Sequence, residues 1–417
     1  MRFTDFGNRF RKATGIAVLM EDLAGLAGGA DEYLMLGGGN PGKIDAVVDR
    51  YQQAGRALID DDQQFFSSVG TYGEPAGSQR LVAALVKLFN ERYGWGISEK
   101  NIALTNGSQN AFFLLFNILA GEAGNRYRRI LLPMTPEYIG YRDVAIGESF
   151  FVSNKPLIEE TGEHRFKYGI DLNALEISDD IGAICVSRPT NPTGNVVTDL
   201  EFDTLDKLAL DAGIPLIIDG AYGEPFPDII HREVSLKWHS NIILSMSLSK
   251  LGLPALRTGI LVGAPELIQT IARMNAVINL TPGSLGPTLI APLFESGEIL
   301  NLSRDHIKPF YAQKAQRTLQ WIDDAFSGLP VFAHEAEGAI FLWLWFRDLP
   351  ISTQELYERL KTRGVIVVPG HYFFPGLNVD WQHCHECIRI SYAMEDHVVE
   401  AGVAIIAEEV KKAYNTQ

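Results

Sequence analysis

Lys250 stands in the run Met246-Ser247-Leu248-Ser249-Lys250-Leu251-Gly252-Leu253-Pro254-Ala255-Leu256-Arg257-Thr258-Gly259, among two hydroxyls, glycine-rich backbone and an arginine. This is a lysine with a phosphate site built around it. An amine held against apolar walls has a lowered pKa and attacks carbonyl carbon. The residues just before, Asn241 to Met246, are apolar and partly β-branched, which predicts a buried strand. Lys250 is therefore expected at a strand's carboxyl end, the edge where open α/β sheets bind ligands.

Asp219 closes a second apolar run, Ile214 to Ile218, and is followed by Gly220-Ala221-Tyr222. A carboxylate in such a place needs a cation or strong donors. The protonated ring nitrogen of pyridoxal phosphate is one such partner, and pairing makes that ring an electron sink. The chemistry suggested at Lys250 is then a Schiff base to this cofactor. A helix-capping aspartate is the plainer alternative. Ser247 to Lys250 also spells S-x-x-K, the nucleophile motif of serine β-lactamases, but neither an S-D-N nor a K-T-G partner occurs.

Other residues fit the same chemistry. Arg188-Pro189-Thr190-Asn191-Pro192-Thr193-Gly194 fixes a rigid turn after a predicted strand, and the Asn191 amide and Tyr222 hydroxyl can bond a phenolic oxygen. Ser108 and Gln109 precede the apolar stretch Ala111 to Ala120, so they fall at a helix amino terminus, where amides and macrodipole favour phosphate. Ser108 is also expected to cap that helix. Tyr138, in Pro136-Glu137-Tyr138-Ile139-Gly140-Tyr141, offers an aromatic plate or a core side chain. Arg389 lies in the apolar run Ile388 to Tyr392, where a substrate carboxylate or a structural ion pair would satisfy it.

These groups need a scaffold. From about residue 100 to 263, short apolar segments alternate with helical patterns: Ile130 to Leu132, Ile181 to Val186, Ile214 to Ile218, Ile242 to Met246 and Ile260 to Val262 read as strands. Val82, Leu85 and Phe89 recur at helical spacing, and Thr198-Asp199-Leu200-Glu201 has capping-box form before a helix ending at Gly213. The alternation predicts an α/β fold, a three-layer, mostly parallel sheet with helices on both faces. Near residue 310 the pattern changes to a long helix, strands over Ala339 to Phe346 and Val365 to Val368, and a last helix over Val398 to Tyr414. That is a smaller α+β lobe. The expected division is an arm over 1–45, a large domain over 46–305 and a small domain over 306–417.

The chain has 417 residues with 36 Lys+Arg against 51 Asp+Glu, a formal charge of −15. Such a surface repels nucleic acid and anionic membranes. Charges scattered through Met1 to Lys12 leave no apolar core for a signal peptide, and no apolar run nears the ~20 residues of a membrane span. Three cysteines form no disulfide framework, so a cytoplasmic protein is expected. His383-Cys384-His385-Glu386-Cys387 packs a C-x-x-C with two histidines, but no second ligand pair stands out and no metal is expected.

Taken in order, Tyr72, Gly107-Ser108-Gln109, Tyr138, Asn191-Pro192-Thr193-Gly194, Asp219 with Tyr222, Ser247-Leu248-Ser249-Lys250, Arg257 and Arg389 resemble the fold-type I pyridoxal phosphate aminotransferases. Asn191 to Asp219 is 28 residues and Asp219 to Lys250 is 31, each one strand-helix unit. The resemblance implies pyridoxal 5′-phosphate on Lys250, stacked on Tyr138, with Asp219 at its ring nitrogen and Asn191 and Tyr222 at its phenolic oxygen. Ser108, Gln109, Ser247, Ser249 and Arg257 would hold the phosphate. Arg389, with Asn191 and the turn at Gly39, would hold the carboxylate of an amino acid or 2-oxo acid. Tyr72 would reach the phosphate of a neighbouring subunit, implying a homodimer. Lyases of the same fold share nearly every one of these residues, and release of ammonia without a keto-acid acceptor separates them. A ligand-sensing module of a transcription regulator would need a DNA-binding domain, for which there is no room before Gly37.

Overall fold

The computed structural model describes residues 1–11, 17, 20–21 and 33–415; the expected arm over 1–45 lies partly outside them. Five strands with nearly unbroken apolar cores make one edge and the middle of the eight-stranded large sheet. In spatial order they are Ile102–Thr105, Gly259–Val262, Ile242–Ser247, Leu216–Asp219 and Ile181–Ser187, continued by Arg126–Leu132, which also pairs with Phe151–Ser153 and Gly121–Ala123. All pairings from Ile242–Ser247 through Arg126–Leu132 are parallel, whereas Gly259–Val262 runs antiparallel to both neighbours.

Successive residues of these strands serve opposite faces. Ile184, Val186, Leu216 and Ile218 enter one core, while Ala183, Cys185 and Ile217 enter the other. Because both faces are buried, the strands read as continuous apolar runs rather than alternating ones. The helix Ser108–Leu119 contributes Phe112, Leu115 and Phe116 to the second core. On the other side lies Asp199–Ala212, opened by the Thr198–Glu201 capping box and closed by Gly213 at φ 66°. Both boundaries match the sequence expectation.

The smaller sheet has the order Val368–Pro369, Cys387–Ser391, Phe341–Phe346, Val331–His334, Arg165–Gly169 and Leu157–Gly162. Its last two strands form a mid-chain hairpin that was not among the sequence expectations. The hairpin docks through parallel pairing of Arg165 and Phe166 with Ala333 and His334. The expected strand over Val365 to Val368 divides in two. Val365–Ile366 pairs with Leu34–Met35, and Val368–Pro369 with Cys387–Ser391. The helix Lys308–Ala325 follows a π-helical turn, Ser303–Ile307, that brings Ile307 and Tyr311 to the rim of a cavity reaching Lys250.

Among the described residues no helix is long and apolar enough to cross a membrane, and no group of three or more His, Cys, Asp or Glu side chains is placed to hold a metal. His383 instead packs inside the small lobe. It contacts the Tyr168 hydroxyl, lies 3.6 Å from Cys387 Sγ and stacks on Trp381.

Candidate active site

The carboxyl ends of three adjacent parallel strands converge. Ser187, Asp219 and Ser245 lie in register across them, and Ser247 ends the third. The chain then tightens into a 3₁₀ turn, Ser249–Leu251, which carries Lys250. Lys250 Nζ donates to the Gly39 carbonyl at 2.6 Å and lies 5.4 Å from the centre of the Tyr222 ring. Burial, aided by repulsion from Arg389 and Arg257 and opposed by Asp219, pulls the amine down to about 8. A neutral, nucleophilic lysine is therefore accessible near neutral pH.

Asp219 is 8% exposed. Its Oδ2 accepts from the Tyr141 hydroxyl at 2.7 Å and its Oδ1 from Ala221 N at 3.1 Å. It caps no helix; a short turn follows it. Burial lifts its pKa to about 6, with the Tyr141 hydrogen bond chief among the opposing influences. A cation beside it would restore a firm negative charge.

The side expected to take a phosphate forms where Gly107 N-caps the helix Ser108–Leu119 at φ 87°. Ser108 is the first helical residue, not the cap. A Cβ on Gly107 would sit 2.3 Å from Arg257 Nη2, and one on Gly259 would sit 2.5 Å from Thr105 Oγ1 and 2.8 Å from Ser108 N. Glycine at both positions lets the arginine and the neighbouring strand close onto the helix's amino terminus. Ser247 Oγ accepts from Ser249 N at 3.1 Å, shaping the loop on the same rim. Gln109 donates to the Gly140 carbonyl at 2.9 Å and leaves its own buried Oε1 without a partner.

Arg389 enters from the strand Cys387–Ser391 and is 3% exposed. Nη1 donates to Asn191 Oδ1 at 2.8 Å and Nη2 to the Gly37 carbonyl at 2.7 Å, while Nε has no partner. Phe341 lies 4.1 Å beneath the guanidinium. Among the described residues no carboxylate pairs with it, so the structural ion pair left open by the sequence is not formed. Desolvation lowers even this pKa, to about 10. Asn191, with its oxygen committed to Arg389, keeps Nδ2 as its donor.

Tyr138 precedes the turn Ile139–Tyr141 and packs edge-on to Tyr141. Tyr72 is not drawn into this assembly: it is 79% exposed and makes no side-chain hydrogen bond among the described residues. Gly37 to Gly42 fits the G-x-G-x-x-G spacing of dinucleotide folds. Here it follows a two-residue strand, its Gly37 and Gly39 carbonyls accept from Arg389 and Lys250, and the next helix, Asp45–Asp60, starts beyond the motif with Ile44 as its N-cap. Sequence reasoning missed Tyr141, Ser187 and Glu137, which join Asp219 in one hydrogen-bonded chain.

A family model for aminotransferases of class I and II matches residues 32–406. The chain is an aminotransferase of that family. It is 48% identical over 416 residues to a valine–pyruvate aminotransferase of Escherichia coli K12, with 99% of each chain covered. The crystal structure of a valine–pyruvate aminotransferase from Salmonella typhimurium LT2 superposes with a TM-score of 0.89 at 48% identity, covering 97% of this chain and 100% of the other. An α-aminoadipate aminotransferase from Thermus thermophilus shares the fold, with a TM-score of 0.79 at 21% identity over 100% and 98% of the two chains.

The aminotransferase depends on pyridoxal 5′-phosphate, and its residues fit that group. The charged groups acting on Lys250 are Arg257, Arg389 and one carboxylate, Asp219. Three cations against one anion leave positive charge for a phosphate at one end and a substrate carboxylate at the other. The unpartnered Arg389 Nε and the glycine-lined approach of Arg257 to the helix supply the matching donors.

Proposed function

We propose that this aminotransferase moves the amino group between valine and pyruvate, giving 3-methyl-2-oxobutanoate and alanine in two half-reactions at one site. The observation that carries the reading is the end-to-end 48% identity with the Escherichia coli valine–pyruvate enzyme. The buried Arg389, with no internal carboxylate, agrees with two substrates that share only a carboxylate grip. An apolar pocket discriminates by about 1–3 kcal/mol per methylene, so other aliphatic amino acids are expected to react more slowly.

Bound pyridoxal phosphate supplies the carbonyl for amine exchange and a ring that spreads carbanion charge. Lys250 would hold the cofactor and, once free, would take the substrate's α-proton on Nζ and pass it to the cofactor's C4′ carbon, the transfer running in reverse in the second half-reaction. Asp219 keeps an anion at the ring-nitrogen side, and Tyr138 supports the ring's face. Asn191 and Tyr222 donate to the phenolic oxygen, while Ser108, Gln109, Ser247, Ser249 and Arg257 hold the phosphate. Arg389, braced by Asn191 and Gly37, orients the substrate carboxylate beside Gly39.

We further infer a homodimer in which Tyr72 completes the partner's phosphate site. Phe65, Phe66, Val69, Tyr72, Leu280 and Leu285 are exposed apolar residues on neighbouring segments. Gly283 N bonds Asn106 Oδ1 at 2.9 Å, which sets this surface beside the amino end of Ser108–Leu119. The cytoplasm is the proposed compartment, since the three cysteines are free and buried. The test is an absorbance spectrum of the purified protein on adding valine and then pyruvate. Loss of the cofactor's visible band with valine and its return with pyruvate is expected; a band indifferent to valine overturns the substrate assignment.

A further inference from the structure

Glu137 is 0% exposed and has no basic partner among the described residues. Its Oε1 accepts from Ser187 N at 2.8 Å, while its Oε2 lies 2.5 Å from Ser187 Oγ and 3.3 Å from Tyr138 N. Ser187 Oγ is 3.2 Å from the Tyr141 hydroxyl, which donates to Asp219 Oδ2 at 2.7 Å. The chain is therefore Glu137, Ser187, Tyr141, Asp219.

Counting protons orders this chain. It has three oxygen-to-oxygen contacts and two hydroxyls, hence two hydroxyl protons. Tyr141 spends its proton on Asp219, because an ionised carboxylate can only accept. Ser187 has one proton, for Tyr141 or for Glu137. If an ionised Glu137 takes it, the Ser187 and Tyr141 oxygens face each other with nothing between them. Two buried carboxylates would then share one network with no cation at the inner one, a costly arrangement. A proton on Glu137 Oε2 removes both difficulties and gives every contact one donor.

We propose that Glu137 is a neutral carboxylic acid that heads a one-way chain of donors, Glu137 to Ser187 to Tyr141 to Asp219, and acts as a positioning residue that keeps Asp219 anionic and aimed at the cofactor ring. Every hydrogen bond in the chain then points its proton toward Asp219. The direction of shift agrees: burial, with Asp219 nearby, raises Glu137 to about 8. Among the described residues the other titratable groups around the chain are Tyr138 from the turn of Glu137 and Cys185 from the strand Ile181–Ser187. From the turn Gly370–Phe373 comes only a backbone carbonyl, bonded to Glu137 N at 2.8 Å. Lys250, Arg257 and Arg389 act on the Asp219 and Tyr138 end.

The proposal rests on the role given above to Asp219, and infrared difference spectroscopy of the purified holoenzyme separates the two. At neutral pH the wild type should show a protonated-carboxyl carbonyl band that Glu137→Gln loses and Asp219→Asn keeps. No such band, or one kept by both variants, overturns the neutral Glu137. A band lost only in Asp219→Asn puts the proton on Asp219 and overturns both readings. The positioning role is read from the pH at which the cofactor's visible absorbance changes. Glu137→Leu should shift that midpoint, and Glu137→Gln, whose amide can still donate to Ser187, should restore it. One common midpoint for all three proteins would reduce Glu137 to packing.

Discussion

Arg389 Nη1 bonds Asn191 Oδ1 at 2.8 Å, joining the small sheet to the turn that ends a strand of the large one. A residue proposed to hold the substrate carboxylate thus leans on one proposed to hold the cofactor. Truncating Arg389 to Ala should weaken both substrates by about 2–5 kcal/mol, the usual cost of breaking a buried, charge-assisted pair. Michaelis constants for valine and pyruvate should rise together. Arg389→Lys should recover little, because an ammonium cannot reproduce the two-pronged grip. Unchanged constants would make Arg389 structural.

Lys250→Ala removes the only amine beside Asp219 among the described residues. Transamination should fall by several orders of magnitude, and the visible band of lysine-bound cofactor should vanish. Residual activity within tenfold of wild type, measured by alanine formation, would refute the assignment.

Asp219→Ala should retain cofactor through the phosphate contacts yet turn over at least a hundredfold more slowly. Single-turnover mixing with valine reads that loss directly. Wild-type rates would remove Asp219 from the chemistry.

Gly107→Ala places a Cβ on backbone at φ 87° and ψ 162°, a region essentially confined to glycine, at a cost of about 1–3 kcal/mol, and against Arg257 Nη2. The circular dichroism spectrum should stay native while cofactor affinity drops at least tenfold, as measured by titrating apoenzyme. An unaltered affinity would show that Arg257 does not grip the phosphate.

The pH dependence of stability has a definite sign. Glu137 is raised to about 8 in the folded protein, against about 4.3 in an unfolded chain. A carboxyl with a raised folded pKa contributes stability below its unfolded value and loses it as pH climbs through the folded one. The Tm of Glu137→Gln should therefore gain on wild type between about pH 4 and pH 8. Parallel curves would mean that Glu137 ionises normally.

Much of the site was legible because chemistry and strand ends coincide in the sequence. Asp219 and Lys250 each follow an apolar run, so their place at the sheet edge could be read without coordinates. Glu137 lies within Pro136 to Tyr141 with no local signal of its role. Its meaning lies in Ser187 and Tyr141, and a lateral contact across two elements leaves no local pattern. The hairpin Leu157–Gly162 and Arg165–Gly169 escaped for another reason. Its first strand, Leu-Ile-Glu-Glu-Thr-Gly, is mostly exposed at a sheet edge and offers no apolar run. Ser108 was misplaced by one position because serine's preference for capping was outweighed by a glycine free to take φ 87°.

The Arg389 contact to the Gly37 carbonyl spans 352 residues. On the ribosome, every residue proposed to hold the phosphate within this chain has been joined to it once Arg257 is made, while the proposed carboxylate grip still awaits the strand Cys387–Ser391. Gly37 thus waits through almost the whole of synthesis for the guanidinium that its carbonyl braces. The grip on the substrate carboxylate is the last part of the proposed site that this polypeptide acquires as it is synthesised.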